Sequence, residues 1–453
     1  MLQYKLNVKR MVSTKLSLTN LHTIYKSELK PGVDLTCIST AKFKSGCITV
    51  NLLCELNRET ASANALLPRV LRRGTSNLPD MESISAALDD LYGVRVEPII
   101  RKKGEMHCIG FYADFPDDRY IRDGQNILGD TIGIIGEMLL SPYMHEGNLC
   151  EDYTASEKSN LIDDIQASIN DKRGYAIDRL LEEMCCDEAF GISKLGSEDK
   201  VNEITCETLT AHYHEVIKNS RIEILYCGSA KPKRVQAAIE KAFNTLPERP
   251  DAPVPETKII YHPHSDEPRC FADSLDVTQG KLTIGFRLGD VMKFPDYPAL
   301  MILNSLFGGG VSSKLFLNVR EKLSLCYYAS SMLDKHKGVM LVASGVDFSK
   351  FDAAQDEILA QLESIKNGNV REWEFNAAIN SVKTSIQSAL DRVNGLEELY
   401  FDSAVSSFNY DPVNLNDMLD TVTPERVINV ASGIKVDSVY RLSGPGDKEA
   451  EKR

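Results

Sequence analysis

The stretch FGGGVSSKLFLNVREKLSLCYY, residues 307 to 328, decides how this chain is read. It opens on the end of an apolar helical pattern, ALMILNSLFGGG (299–310), and consecutive glycines stop that pattern. Glycine reaches positive φ and lets another backbone come close, so the loop Gly308, Gly309, Gly310 is suited to lie against a neighbouring chain. It is not a phosphate loop. The order G-x-x-x-x-G-K-[ST] is absent, and GGGVSSK (308–314) follows a helix instead of a strand.

Working outward, GKLTIGFRL (280–288) precedes the helix with the period-two alternation of a strand. Two strands around a polar turn follow in LCYYASSMLDKHKGVMLVASG (325–345), and a helix and strand close the half in TVTPERVINVASGIKVDSVYRLSG (421–444). The same order occupies the first part of the chain. CITVNLLCEL (47–56) is an alternating strand, NALLPRVLRRG (64–74) a helix with a glycine stop, VRVEPIIRKKGEMHCIGFYA (94–113) a strand pair, and TCETLTAHYHEVIKNSRIEILYCG (205–228) the closing helix and strand. Between the two series, LPERPDAPVPETKIIYHPHSDEPRC (246–270) holds six prolines, which fix φ and make a semi-rigid connector. The expectation is an internal duplication: two similar α+β domains, 1–245 and 271–453, each a largely antiparallel sheet covered on one side by helices, joined by 246–270. The repeat is far longer than the roughly 20–50 residues of stacked solenoids.

Composition narrows the function classes. A formal charge of -13 argues against phosphate-backbone binding, which needs clustered Lys and Arg, so nucleic acid is not an expected partner. No apolar run approaches the roughly 18 residues of a membrane span. Eleven scattered cysteines without a C-x-x-C pair fit a reduced, cytoplasmic setting. The first 27 residues carry Lys5, Lys9, Arg10, Lys15 and Lys26 and no acid, a transit-peptide look, but lack the apolar segment of a secretion signal.

KFKSGCITVNLLCEL (42–56), the helix ending RRGT, LDDLYGVRVEP (88–98), LYCG (225–228) and above all the 307–328 run together resemble the M16 family of insulinase-type, pitrilysin-related zinc peptidases. In that family the first-domain helix carries H-x-x-E-H, then four residues, then G-T. Counting back from Gly74 puts the three positions at Ala65, Pro68 and Arg69. Two imidazoles four apart can share one zinc while a glutamate activates its water; alanine, proline and arginine can do neither. Pro68 is also expected to kink or restart the helix. The family adds a ligand glutamate and a supporting glutamate on a later helix. Here SEKSNLIDDI (156–165) offers Glu157 and Asp164, read as leftovers on a solvated face. His212, His214 and Glu215 point in different directions on a helix, and His262 and His264 lie in the connector, so neither set is expected to bind metal.

The resemblance further implies that Arg320 and Tyr327 hold a peptide carbonyl and stabilise the oxyanion, since a fixed guanidinium and phenol aimed at developing charge lower the barrier. It places the glycine loop beside the peptide cavity. The bland alternative pairs Arg320 with Glu321 and packs Tyr327 in a strand. Ser324 and Cys326 replace the family's usual glycine and alanine, so the local turn is expected to differ slightly. The implied function is that of a non-catalytic, substrate-binding subunit. An H-x-x-E-H sister subunit would bring the zinc, this chain would hold no cofactor, and a peptide would be the substrate. The alternatives are a structural scaffold subunit and a stand-alone peptide-binding homodimer.

Overall fold

Alternating β-branched and aromatic residues put successive side chains on opposite faces of two sheets. The computed structural model describes residues 22–122, 124–291, 296–406 and 410–445, so Lys5, Lys9, Arg10 and Lys15 lie outside the described residues. The first sheet comprises β1 (His22–Lys30), β2 (Val33–Thr40), β3 (Ser45–Glu55), β4 (Arg95–Lys103), β5 (Met106–Pro116) and β8 (Arg221–Gly228). A small hairpin, β6 (Met144–His145) and β7 (Asn148–Leu149), stands apart from it. The second sheet comprises β9 (Arg269–Ser274), β10 (Gly280–Arg287), β11 (Cys326–Asp334), β12 (Val339–Val346) and β13 (Lys435–Ser443).

The sheets share one topology. The order β2-β8-β3-β5-β4 in the first matches β9-β13-β10-β12-β11 in the second, with β1 as an extra edge strand on the first. In each, the parallel contact is the corresponding pair, β2 with β8 and β9 with β13, and the other neighbours are antiparallel. The duplication read from element order is therefore present strand for strand.

Helices α1 (Ala61–Leu71), α2 (Met81–Asp90), α3 (Ile127–Leu140), α4 (Glu151–Ala167), α5 (Lys172–Met184), α6 (Glu198–Glu203), α7 (Cys206–Asn219) and α8 (Pro232–Ala242) belong to the first half. The second contributes α9 (Tyr297–Gly308), α10 (Phe351–Lys366), α11 (Glu372–Leu390), α12 (Val393–Val405), α13 (Leu415–Leu419) and α14 (Pro424–Ser432). Among the described residues no helix is long and apolar enough to cross a membrane.

One expectation needs correction: helices cover both faces of each sheet. Ile48, Val50 and Leu52 turn toward helices of their own half, while Cys47 and Leu53 meet Leu396, Tyr400 and Phe401 of α12, which comes from the other half. Reciprocally, Leu180 and Met184 of α5 pack on Leu341, Tyr440 and Leu442 of the second sheet. The Thr49 hydroxyl donates to Glu397 of α12 at 2.8 Å, which is why a polar residue is tolerated on that face. Ion pairs reinforce the exchange. Arg287, fully buried on β10, lies 2.9 Å from Asp437 and also meets Glu188, which Lys337 approaches at 2.6 Å. The connector touches both halves: Lys258 N–H donates to Glu105 at 3.0 Å and Gly289 N–H to the Tyr261 carbonyl at 3.0 Å.

Candidate functional site

Ala65, Pro68 and Arg69, the positions at which the resemblance would put the metal motif, lie on α1. Its entry is shaped by Asn57, whose side-chain oxygen accepts from the N–H groups of Glu59 at 3.1 Å and Thr60 at 2.9 Å. Leu66, Leu67, Val70 and Leu71 then bury its core face. Contrary to expectation, Pro68 neither ends nor restarts the helix, which runs unbroken from Ala61 to Leu71. Pro68 removes one donor, but its own carbonyl still accepts from Arg72 N–H at 3.2 Å, and burial of the surrounding side chains holds the turn.

Ala65 is fully buried and Pro68 is buried beside it, so neither presents a ligand atom. Arg69 reaches α4 and pairs with Asp164 at 2.8 Å; one turn on, Arg73 pairs with Glu157 at 3.1 Å. The two leftover carboxylates are thus engaged by α1. Glu157 is buried, which corrects the solvated-face reading: Arg73 and its stacking on Tyr153 at 5.4 Å close over it. Asp164 remains about half exposed, at 55 % of its side chain. Cations occupy the place where the resemblance would put a metal, and this donor set does not fit zinc. Elsewhere, the His212 ring lies 2.8 Å from the Asn64 side-chain oxygen, while His214, His262 and His264 are exposed. Among the described residues no group of three His, Cys, Asp or Glu converges on one point.

The 307–328 run is held by close packing. A Cβ at Gly308 would sit 2.5 Å from the Ser331 nitrogen of β11, so only glycine lets α9 end against that strand. Gly309 and Gly310 are exposed. Leu315 to Lys322 then form a π-helical turn, anchored by buried Leu315 and Val319, with Leu323 N–H donating to the Asn318 carbonyl at 3.2 Å. Such wide turns are rare and favour functional sites. Arg320 stands near its end, its guanidinium 4.8 Å over the Phe316 ring and 3.6 Å from Glu321. That second contact is the bland pairing, and an exposed pair of this length contributes little.

Ser324 follows at φ +50°, keeping the conformation a glycine would take. A register irregularity between Cys326 and Tyr328 then turns Tyr327 outward, 58 % exposed. Its hydroxyl donates to Asp347 at 3.0 Å, and that bond holds the phenol above its ordinary pKa. Lys350 lies 3.0 Å from Asp347 and donates to the Ser324 carbonyl at 3.1 Å; its hydrogen bond, with that from Tyr327, holds the carboxyl below its usual value. Asp347 and Lys350 were not singled out in the sequence. The signal was the hairpin register, which sets Cys326 opposite Val346 and so carries Asp347 back to Tyr327. Gly308, Arg320, Ser324 and Tyr327 follow one another along the segment that leaves α9, passes through the π-helical turn and enters β11, with Arg320 and Tyr327 each contacting an acid of this chain.

A duplicated α+β sheet, with Arg69 of α1 engaged by Asp164 in one half and the 307–328 run in the other, is the architecture that the resemblance to zinc peptidases implies. The chain belongs to the M16 peptidase family. The family model described as the peptidase M16 inactive domain matches residues 203–382. The protein is 34% identical over 426 residues to "Probable inactive metalloprotease YmfF" of Bacillus subtilis, covering 93% of this chain and 98% of that one. Among solved structures it resembles a conserved protein of Enterococcus faecalis V583, with TM-score 0.83, 25% identity and coverage of 93% of this chain and 98% of the other. A peptidase M16 inactive domain from Pseudomonas fluorescens shares the fold at TM-score 0.73 and 14% identity, over 93% and 98% of the two chains.

Proposed function

We propose that this chain is the non-catalytic, substrate-binding subunit of a two-chain zinc peptidase. An H-x-x-E-H sister subunit supplies the metal, and this chain brings Arg320, Tyr327 and the Gly308–Gly310 loop to a shared peptide cavity. The observation that carries the reading is the asymmetry between the halves: Arg69 is spent on Asp164 at the metal position, while Tyr327 and Arg320 stand outward on a bulge and a π-helical turn. The likeness to the Bacillus subtilis "Probable inactive metalloprotease YmfF" supports the same division of labour.

The H-x-x-E-H residues of the sister would hold zinc, which would supply Lewis-acid chemistry toward the scissile carbonyl and water. The Arg320 guanidinium offers a fork of donors to a substrate carbonyl. The Tyr327 hydroxyl exchanges its exposed bond to Asp347 for one to the developing oxyanion, a low-cost swap because both groups face solvent. A scaffold has no use for an exposed phenol and guanidinium held in this way, which favours the subunit reading over the scaffold.

The test is co-purification and peptide hydrolysis with an H-x-x-E-H-bearing M16 chain from the same organism. A stable complex that cleaves peptides when neither chain does so alone is expected. Failure to associate at micromolar concentration, with the sister fully active by itself, would remove the proposal.

A further inference from the structure

We infer that the cavity beside the emptied metal helix binds a carboxylate, and that it seats an acidic group of the bound peptide. The inference rests on the reading of this chain as a peptide-binding subunit and adds a specificity to it. The cavity is half open to solvent, with a volume of about 310 Å³, room for an amino-acid-sized group. Arg69, Arg72 and Arg73 line one wall; Met81, Pro98 and Ile100 supply apolar surface; Glu157 is the carboxylate in the lining. Residues at i, i+3 and i+4 share a helix face, so the three guanidiniums converge because of their spacing on and just beyond α1.

Their present partners leave capacity for a ligand. Arg69 is held by Asp164 and Arg72 by Glu97, acids whose side chains are 55% and 54% exposed, and such pairs are weak and exchangeable. The Nε of Arg73 is buried without an acceptor. Each guanidinium has five N–H donors in a planar fork suited to bidentate carboxylate binding, and one carboxylate contact does not use them up. The apolar surface would receive the methylene stem beneath the charged end.

The route of entry is also limited. β4 is the outer strand of its sheet, yet Arg72 already donates to the Val96 carbonyl at 2.7 Å, and Pro98 has no N–H to pair with an added strand. A peptide therefore engages this cavity through a side-chain or C-terminal carboxylate and not by continuing the sheet.

The experiment is calorimetric titration of the isolated full chain at low salt with three capped probes: acetyl-Ala-Ala-Glu-amide, acetyl-Ala-Ala-Leu with a free C-terminus, and acetyl-Ala-Ala-Gln-amide. At least one carboxylate probe should bind about tenfold more tightly than the glutamine probe, since charge-assisted bidentate bonds are roughly twice as strong as neutral ones. Which of the two binds identifies the source of the carboxylate. Arg72→Gln should weaken that binding at least about fivefold, and Arg69→Gln, whose partner is exposed, serves as the second variant if the first alters the far-ultraviolet spectrum. Carboxylate probes no tighter than the glutamine probe, or binding unchanged in the correctly folded variants, would overturn the inference. No sister chain enters this experiment, so failure of assembly and failure of carboxylate binding are read separately.

Discussion

Replacing Arg287 with methionine should uncouple the two halves of the chain. Arg287 is fully buried where α5 of the first half meets the second sheet, 2.9 Å from Asp437 and 3.2 Å from Glu188. Removing one partner of a buried pair costs about 3–5 kcal/mol because a charge is left without compensation. Here Asp437 keeps Arg269 at 2.8 Å and Glu188 keeps Lys337 at 2.6 Å, so the loss should fall near the low end, about 3 kcal/mol. Burial pushes the Asp437 carboxyl up, and bonds from Arg269 and Arg287 outweigh it and leave it below its usual value. Its contribution is therefore present above the unfolded carboxylate pKa and fades as pH falls through the folded one. Urea unfolding at pH 7, followed by far-ultraviolet dichroism, measures the change. Arg441→Met is the control, because its partner Asp352 is 64% exposed and such a pair contributes about 1 kcal/mol at most. An Arg287→Met loss within about 0.5 kcal/mol of the control would refute the reasoning that this cluster locks the exchanged helices.

Other outcomes follow from single residues. Burial pushes the His107 imidazole down to about 4, from 6.5. The unfolded chain therefore takes up a proton that the folded chain refuses, and stability should fall by about 3 kcal/mol between pH 7 and pH 4 on this account. His107→Leu should remove most of that slope in urea midpoints, and an unchanged slope would count against it. At Ser324, φ +50° admits glycine but not a β-branched side chain. Ser324→Val should cost about 1–2 kcal/mol while Ser324→Gly costs nothing measurable; equal melting of the two variants would show that the turn relaxes. At Gly308, alanine would place a Cβ 2.5 Å from the Ser331 nitrogen, so Gly308→Ala should lose about 1–3 kcal/mol in the same assay.

Much of this architecture was legible because each half repeats one hydrophobic pattern. The strand CITVNLLCEL and its counterpart GKLTIGFRL lie where alternation put them, in β3 and β10. The covering of the second sheet faces was not legible. Cys47, Thr49 and Asn51 look like a solvent face by polarity, yet all three are buried, and α12, more than 300 residues away in sequence, supplies the Glu397 that satisfies Thr49. Placement of Ala65, Pro68 and Arg69 on one helix could be counted from Gly74, but the continuity of α1 through Pro68 could not, because local propensity yields to tertiary packing. The bond from Tyr327 to Asp347 depended on a hairpin register, and the π-helical turn at Arg320 has no pattern of its own in the sequence.

The central claim is that this chain lends Tyr327 to chemistry performed on a sister's zinc. The most direct measurement is turnover of a peptide by the complex with an H-x-x-E-H sister, comparing the native chain with Tyr327→Phe while assembly is checked by gel filtration. Removal of one oxyanion donor is typically worth about 10²–10³ in rate, so turnover should fall by that order with the complex intact. Unchanged turnover in the intact Tyr327→Phe complex, or zinc-dependent hydrolysis by this chain alone, would contradict the account.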